Sequence, residues 1–242
     1  MPALTVFDIL KEQSPTISPG IISADLMSLN TELSKLQEAG LKMAHFDVMD
    51  GHFVPSLTVG PPFVKAVKTT LLKDVHLMVA SADKMVADFI SAGADIITIH
   101  IEACDDALGL LENIGGMENV NDPQREIVRG IAINPATPVE AVEALLGQIE
   151  LIVLLAVDPS GAEHPSFDLT VERFEKLKQI VSASGRDILL CVDGGVKKNN
   201  IGEYAKMGAD IYVSGSALFS GAIDENVRFM LDALRLCKRG IN

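Results

Sequence analysis

Short apolar runs alternating with helix-period segments predict a (β/α)8 TIM barrel, an α/β fold in a single domain. Three observations carry this reading. The chain has 242 residues, and eight units of about 30 residues each is the usual scale of that barrel. A helical stretch ending at a glycine and followed after one to three residues by a β-rich run recurs three times. These are Glu38-Ala39-Gly40 before Met43-Ala44-His45-Phe46, Ser91-Ala92-Gly93-Ala94-Asp95 before Ile96-Ile97-Thr98-Ile99, and Lys206-Met207-Gly208-Ala209-Asp210 before Ile211-Tyr212-Val213. Glycine supplies the left-handed backbone that stops a helix. The runs are also continuously apolar rather than alternating, as parallel strands covered on both faces are. A doubly wound open sheet is the competing architecture, but it more often carries an early Gly-x-Gly-x-x-Gly turn, which is missing here.

In chain order, strands are expected at residues 18–22, 43–48, 74–78, 96–100, 128–133, 151–156, 188–192 and 211–214. Helical patterns lie between them at 26–39, 61–68, 82–92, 138–146, 170–184, 199–207 and 224–237. Residues 105–126 are expected to hold a helix and then a polar loop at 118–125. Nothing marks a linker. The barrel is therefore read as one domain over 17–242, preceded by an extension over 1–16.

Composition narrows the function. A formal net charge of −13 argues against nucleic acid or an anionic membrane surface as the partner. A small anionic ligand stays open, because backbone amides hold phosphate locally. Aromatic residues make up 5% of the chain and tryptophan is absent, so Ala, Val, Ile, Leu and Met must build the core. Cys104, Cys191 and Cys237 are an odd number, far apart and without a Cys-x-x-Cys pair, which points to a reducing compartment. Residues 1–14 lack a secretory pattern, and the longest apolar run, 151–157, is far too short to span a bilayer. The protein is expected to be cytoplasmic, and a homo-oligomer.

In such a barrel the chemistry sits at the C-terminal ends of the strands. His45, His52, His76, His100 and His164 all fall in the second half of an expected strand or just after one. Period two places His45 and Asp47 on one strand face and Phe46 on the other. His76 on strand three and Asp193 at the end of strand seven complete a set of two imidazoles and two carboxylates. That set suits one divalent transition metal ion, Zn, Fe, Mn or Co. Taken singly, each histidine could be a hydrogen-bonded core residue and each aspartate a helix cap. Met49 and Met78 are read either as an apolar floor or as packing. Asp193-Gly194-Gly195 and Ser214-Gly215-Ser216-Ala217 close strands seven and eight, where this fold often binds phosphate. Gly194, Gly195, Gly215 and Ser216 are the residues expected there; tight turns are the alternative.

The run from His45 to Pro55, His-Phe-Asp-Val-Met-Asp-Gly-His-Phe-Val-Pro, resembles the signature of the ribulose-phosphate 3-epimerase family. So do Ile22-Ser23-Ala24-Asp25, Asp74-Val75-His76-Leu77-Met78, Asn134-Pro135-Ala136-Thr137-Pro138 and Val192-Asp193-Gly194-Gly195-Val196. The resemblance runs from about residue 17 to the C-terminus and implies an isomerase of pentose phosphate metabolism. It implies a metal held by His45, Asp47, His76 and Asp193, and a phosphorylated ketose as substrate. Asp47 and Asp193 would exchange a proton at carbon 3 from opposite faces, with Ser23 and His76 also against the substrate. After strand six the family typically carries Asn-Pro-Gly-Phe-Gly-Gly-Gln, whereas this chain reads Asp158-Pro159-Ser160-Gly161-Ala162-Glu163-His164-Pro165. Leu155 stands where the family usually has methionine. Three functions follow: a D-ribulose 5-phosphate 3-epimerase, an epimerase of another ketose such as a ketohexose 6-phosphate, or a non-catalytic sugar-phosphate-binding paralogue.

Overall fold

The apolar runs pair as eight parallel strands: β1 (Thr16–Pro19), β2 (Met43–Met49), β3 (Leu72–Met78), β4 (Ile96–His100), β5 (Val128–Ile133), β6 (Leu151–Leu155), β7 (Leu189–Asp193) and β8 (Ile211–Ser214). This computed structural model describes residues 4–161, 165–238 and 240. The strand order is β1-β8-β7-β6-β5-β4-β3-β2, and β1 meets β8 in register through Ser18↔Val213. An isolated bridge, Gly20↔His45, joins β1 to β2 and nearly closes the barrel. Because every strand runs the same way, all C-terminal ends share one rim, called here the upper mouth.

The helices are α1 (Val6–Gln13), α2 (Leu29–Glu38), α3 (Pro61–Ala66), α4 (Val86–Ser91), α5 (Ala107–Gly115), α6 (Phe167–Ser184), α7 (Ile201–Ala205), α8 (Ser216–Phe219) and α9 (Ile223–Lys238). Period two sorts the strand residues into two cores. Phe46, Leu77, Ile99, Leu154 and Tyr212 pack outward against the helices, with Leu33, Phe174 and Met230 among their partners. Met43, Leu72, Ile96, Val128, Leu189 and Ile211 face the barrel interior.

The N-terminal extension has a definite place in this fold. Thr5 accepts the Asp8 N–H, and the Asp8 carboxylate accepts the Thr5 N–H and hydroxyl, a reciprocal cap that starts α1. Val6 and Leu10 are fully buried and join the interior core at its lower mouth. Burying two such side chains contributes about 1.5–3 kcal/mol each.

Three expected elements shift. The first strand lies at 16–19 rather than 18–22 because its partner β8 ends at Ser214, opposite Pro19. The apolar Ile21 then turns into a 3₁₀ helix, Ile21–Ser23, and is buried outside the barrel. The segment expected as a helix at 138–146 is a 3₁₀ helix, Val139–Leu145, whose buried residues Val139, Val142 and Leu145 recur every third position. That spacing matches three residues per turn. The 82–92 helix is divided at Met85, with φ −115° and ψ −26°, so a single 3₁₀ turn Ala82–Lys84 precedes α4. Among the described residues no helix is long and apolar enough to cross a membrane.

Candidate active site

Strand pairing assembles the site. β2 and β3 are in register, so Asp74 lies opposite His45 and His76 opposite Asp47. Asp193 ends β7, three strands away round the barrel through β8 and β1. One ligand atom each from His45, Asp47, His76 and Asp193 lies within 4.8 Å of the others. His45 Nε2 is 3.2 Å from Asp47 Oδ1 and 3.7 Å from Asp193 Oδ2. His76 Nδ1 is 3.3 Å from Asp193 Oδ2 and 3.8 Å from Asp47 Oδ1. Both imidazoles are buried, while the Asp47 and Asp193 side chains are 20% and 12% exposed, so the cluster opens upward through its carboxylates.

The chemistry of this set fits a metal ion. His45 Nε2 and His76 Nδ1 are buried without a hydrogen-bond partner, a costly state for imidazole nitrogen. The opposite nitrogen of each ring is engaged. His45 Nδ1 is 2.7 Å from Asp74 Oδ2, which also accepts the Ser18 hydroxyl at 2.8 Å. His76 Nε2 is 2.9 Å from His100 Nε2. Metal-ligating histidines are oriented in this way, one nitrogen held by an outer partner and the other facing the ion. Two nitrogen and two oxygen donors converging in this way suit a divalent transition metal.

Charges around the cluster are strongly coupled. Burial disfavours the charged form of His45, but the Asp74 and Asp47 carboxylates outweigh it and hold the imidazole pKa well above its ordinary value. Burial likewise opposes ionisation of Asp47, yet His45 and His76 keep its pKa below the usual range.

Glycine loops close the other side of the mouth. Gly194 and Gly195 have φ of +103° and +73°, and a Cβ on Gly194 would lie 2.4 Å from Val157 Cγ2. A Cβ on Gly215 would lie 2.4 Å from Ser23 Oγ, so the strand-eight loop approaches Ser23 only as glycine. The Ser214 hydroxyl donates to the Val196 carbonyl at 2.8 Å and ties the loops after β7 and β8 together. Ser216 opens the four-residue α8 with Gly215 at its cap.

The structure thus brings His45, Asp47, His76 and Asp193 into one cluster and sets Ser23 against Gly215. His52 is not in the cluster: it is exposed and lines a cavity of about 810 Å³ with Phe53, Ser81, Glu102 and Cys104. His164 and Glu163 lie outside the described residues. Asp50, inside the signature, is a loop tie: its carboxylate accepts the N–H groups of His52, Phe53 and Ala80 at 2.8–2.9 Å. Sequence reasoning missed Asp74, His100 and Glu102 as partners of the histidines. Period two carried a signal for two of them, since Asp74 shares a face with His76 and His100 with Ile96.

Comparison with known proteins bears on the fold and the family. Three-dimensional likeness extends to tryptophan synthase from Mycobacterium tuberculosis in space group F222, at TM-score 0.63 and 16% identity over 96% of this chain and 97% of that one. It also extends to phosphoribosyl anthranilate isomerase from Thermus thermophilus, at TM-score 0.58 and 11% identity over 92% and 99%. These show the barrel fold. Ribulose-phosphate 3-epimerase from Escherichia coli (strain K12) is 40% identical over 206 residues, 84% of this chain and 88% of that protein. The enzyme of the same name from Treponema pallidum (strain Nichols) is 37% identical over 214 residues, 88% and 94%. A model of the ribulose-phosphate 3 epimerase family matches residues 16–219, and the chain belongs to that family.

Proposed function

We propose that the protein is a metal-dependent 3-epimerase of a ketose phosphate, converting D-ribulose 5-phosphate to D-xylulose 5-phosphate. The observation that carries this reading is the pair of carboxylates, Asp47 and Asp193, reaching one point from β2 and β7 with two bare histidine nitrogens between them. Inverting a stereocentre needs removal of a proton from one face and return to the other, hence two acid–base groups. One of Asp47 and Asp193 accepts the carbon-3 proton and the other donates to the opposite face, the roles exchanging with direction. A divalent ion held by His45, Asp47, His76 and Asp193 would supply positive charge beside the substrate oxygens as they become anionic. Backbone N–H groups of Gly194, Gly195, Gly215 and Ser216 receive the phosphate, with Ser23 and His76 against the sugar.

The loop after β6 favours a second reading, a different ketose phosphate. Asp158 Oδ1 accepts both the N–H and the hydroxyl of Ser160, at 2.8 and 2.7 Å, where family members typically carry glycine. Exchange of the carbon-3 proton with deuterated solvent, over ribulose 5-phosphate and ketohexose 6-phosphates, separates the readings. Fastest exchange with ribulose 5-phosphate is expected. Faster exchange with a hexose phosphate moves the substrate, and no exchange with any ketose phosphate leaves a binding paralogue.

A further inference from the structure

Beside the cluster lies a buried polar chain that proton transfer at carbon 3 does not use. His76 Nε2 and His100 Nε2 are 2.9 Å apart, with the ring planes 12° from parallel. At that separation two N–H groups or two lone pairs would repel, so one nitrogen carries the hydrogen and the other the lone pair. The far end of the chain decides which. Glu102 Oε1 accepts the Asn134 N–H at 2.8 Å and the Thr137 hydroxyl. Its Oε2 is 3.1 Å from His100 Nδ1. A carboxylate only accepts, so Nδ1 of His100 carries hydrogen and a neutral His100 presents a lone pair at Nε2. That lone pair accepts the His76 Nε2–H and turns His76 Nδ1 toward Asp193 and Asp47, 3.3 and 3.8 Å away. Arg173 on α6 steadies the far end, its Nη2 donating to the carbonyls of Asn134 and Thr137 at 2.9 and 2.7 Å.

We propose that His100 and Glu102 are positioning residues that hold His76 by its Nε2–H, with Nδ1 aimed at the two carboxylates. The consequence for metal affinity rests on the proposed metal site; the Nε2–H contact does not. Two substitutions separate positioning from packing, because His100 is fully buried with its ring 4.8 Å from that of Phe53. His100→Gln keeps an acceptor for His76 and a donor for Glu102 but loses the ring. His100→Phe keeps the ring and loses the acceptor. Glu102→Gln keeps volume at a side chain that is 22% exposed, so it is expected to fold even where His100 variants do not.

The experiment is ¹⁵N NMR of the His76 ring in the full metal-free chain, together with Co(II) affinity by chelator competition. The native chain is expected to show His76 protonated at Nε2. Outer partners of metal-bound histidines typically govern affinity by about 10- to 100-fold, so His100→Phe should weaken Co(II) by that factor while His100→Gln stays within about threefold. Glu102→Gln, whose amide can accept from or donate to His100 Nδ1, should lower the share of His76 with hydrogen on Nε2. A His76 without hydrogen on Nε2 in the native chain overturns the proposal, as does equal loss from the two His100 variants or native Co(II) affinity in His100→Phe. If His45→Ala leaves Co(II) affinity unchanged while His76 keeps its Nε2–H, the metal site fails and the positioning role stands.

Discussion

The two mouths of this barrel are lined by inward positions of the same strands, yet one is apolar and the other carries the charged cluster. Reading upward in steps of two, β2 runs Met43, His45, Asp47, β3 runs Leu72, Asp74, His76, and β7 runs Leu189, Cys191, Asp193. Strands β5 and β6 stay apolar or small at the same heights, through Val128, Gly130, Ala132 and Leu151, Val153, Leu155. The polar residues therefore fill one sector of the upper mouth, against a wall that is already a packed core. Below, Val6 and Leu10 of α1 complete the apolar layer. The contrast shows how one fold keeps stability and chemistry apart: the lower end carries burial, and the upper end carries donors whose arrangement would be poor packing on its own.

The sharpest way to test this division is at the top. Asp47→Asn or Asp193→Asn should lower turnover by about 10²- to 10⁴-fold with little change in melting temperature, because a carboxamide cannot carry the proton. Normal epimerisation by either variant would remove the two-carboxylate mechanism. His45→Ala, which deletes one of four ligands, should lose metal content and activity together, by more than about tenfold in affinity. The fold should survive, since the barrel core does not depend on the ion as a structural zinc domain does.

At the lower mouth the signs reverse. Leu10→Ala should cost about 2–5 kcal/mol of stability through lost burial and a cavity, measured by denaturant unfolding, with kcat and KM unchanged. A catalytic defect there would show the two ends to be coupled. The smallest effect is expected from Thr5→Ala, which removes the α1 cap and about 0.5–2 kcal/mol. If it destabilised as much as Leu10→Ala, α1 would be held by its cap rather than by its buried face.

Much of this contrast is legible in the sequence. Continuous apolar runs reveal the strands, and period two puts His45 and Asp47 on one face. What stays hidden depends on how neighbouring strands are staggered. Spacing along the chain cannot reveal that Asp74 sits opposite His45 or that His100 Nε2 meets His76. The first strand is misplaced because Ile21 and Ile22 prolong an apolar run past Pro19, and the burial of Ile21 belongs to a turn. The helix α1 is short, and its one local signal is the Thr5-to-Asp8 cap.

Because α1 stoppers the lower mouth and packed side chains fill the interior above it, the barrel formed by the described residues is a blind well that opens at its upper mouth. Traffic through such a well is last in, first out. An ion seated among His45, Asp47, His76 and Asp193 must then wait for any sugar phosphate resting above it to depart. Stripping by a chelator should therefore slow as substrate saturates the enzyme, and a stripping rate indifferent to substrate would mean that the ion has another way out.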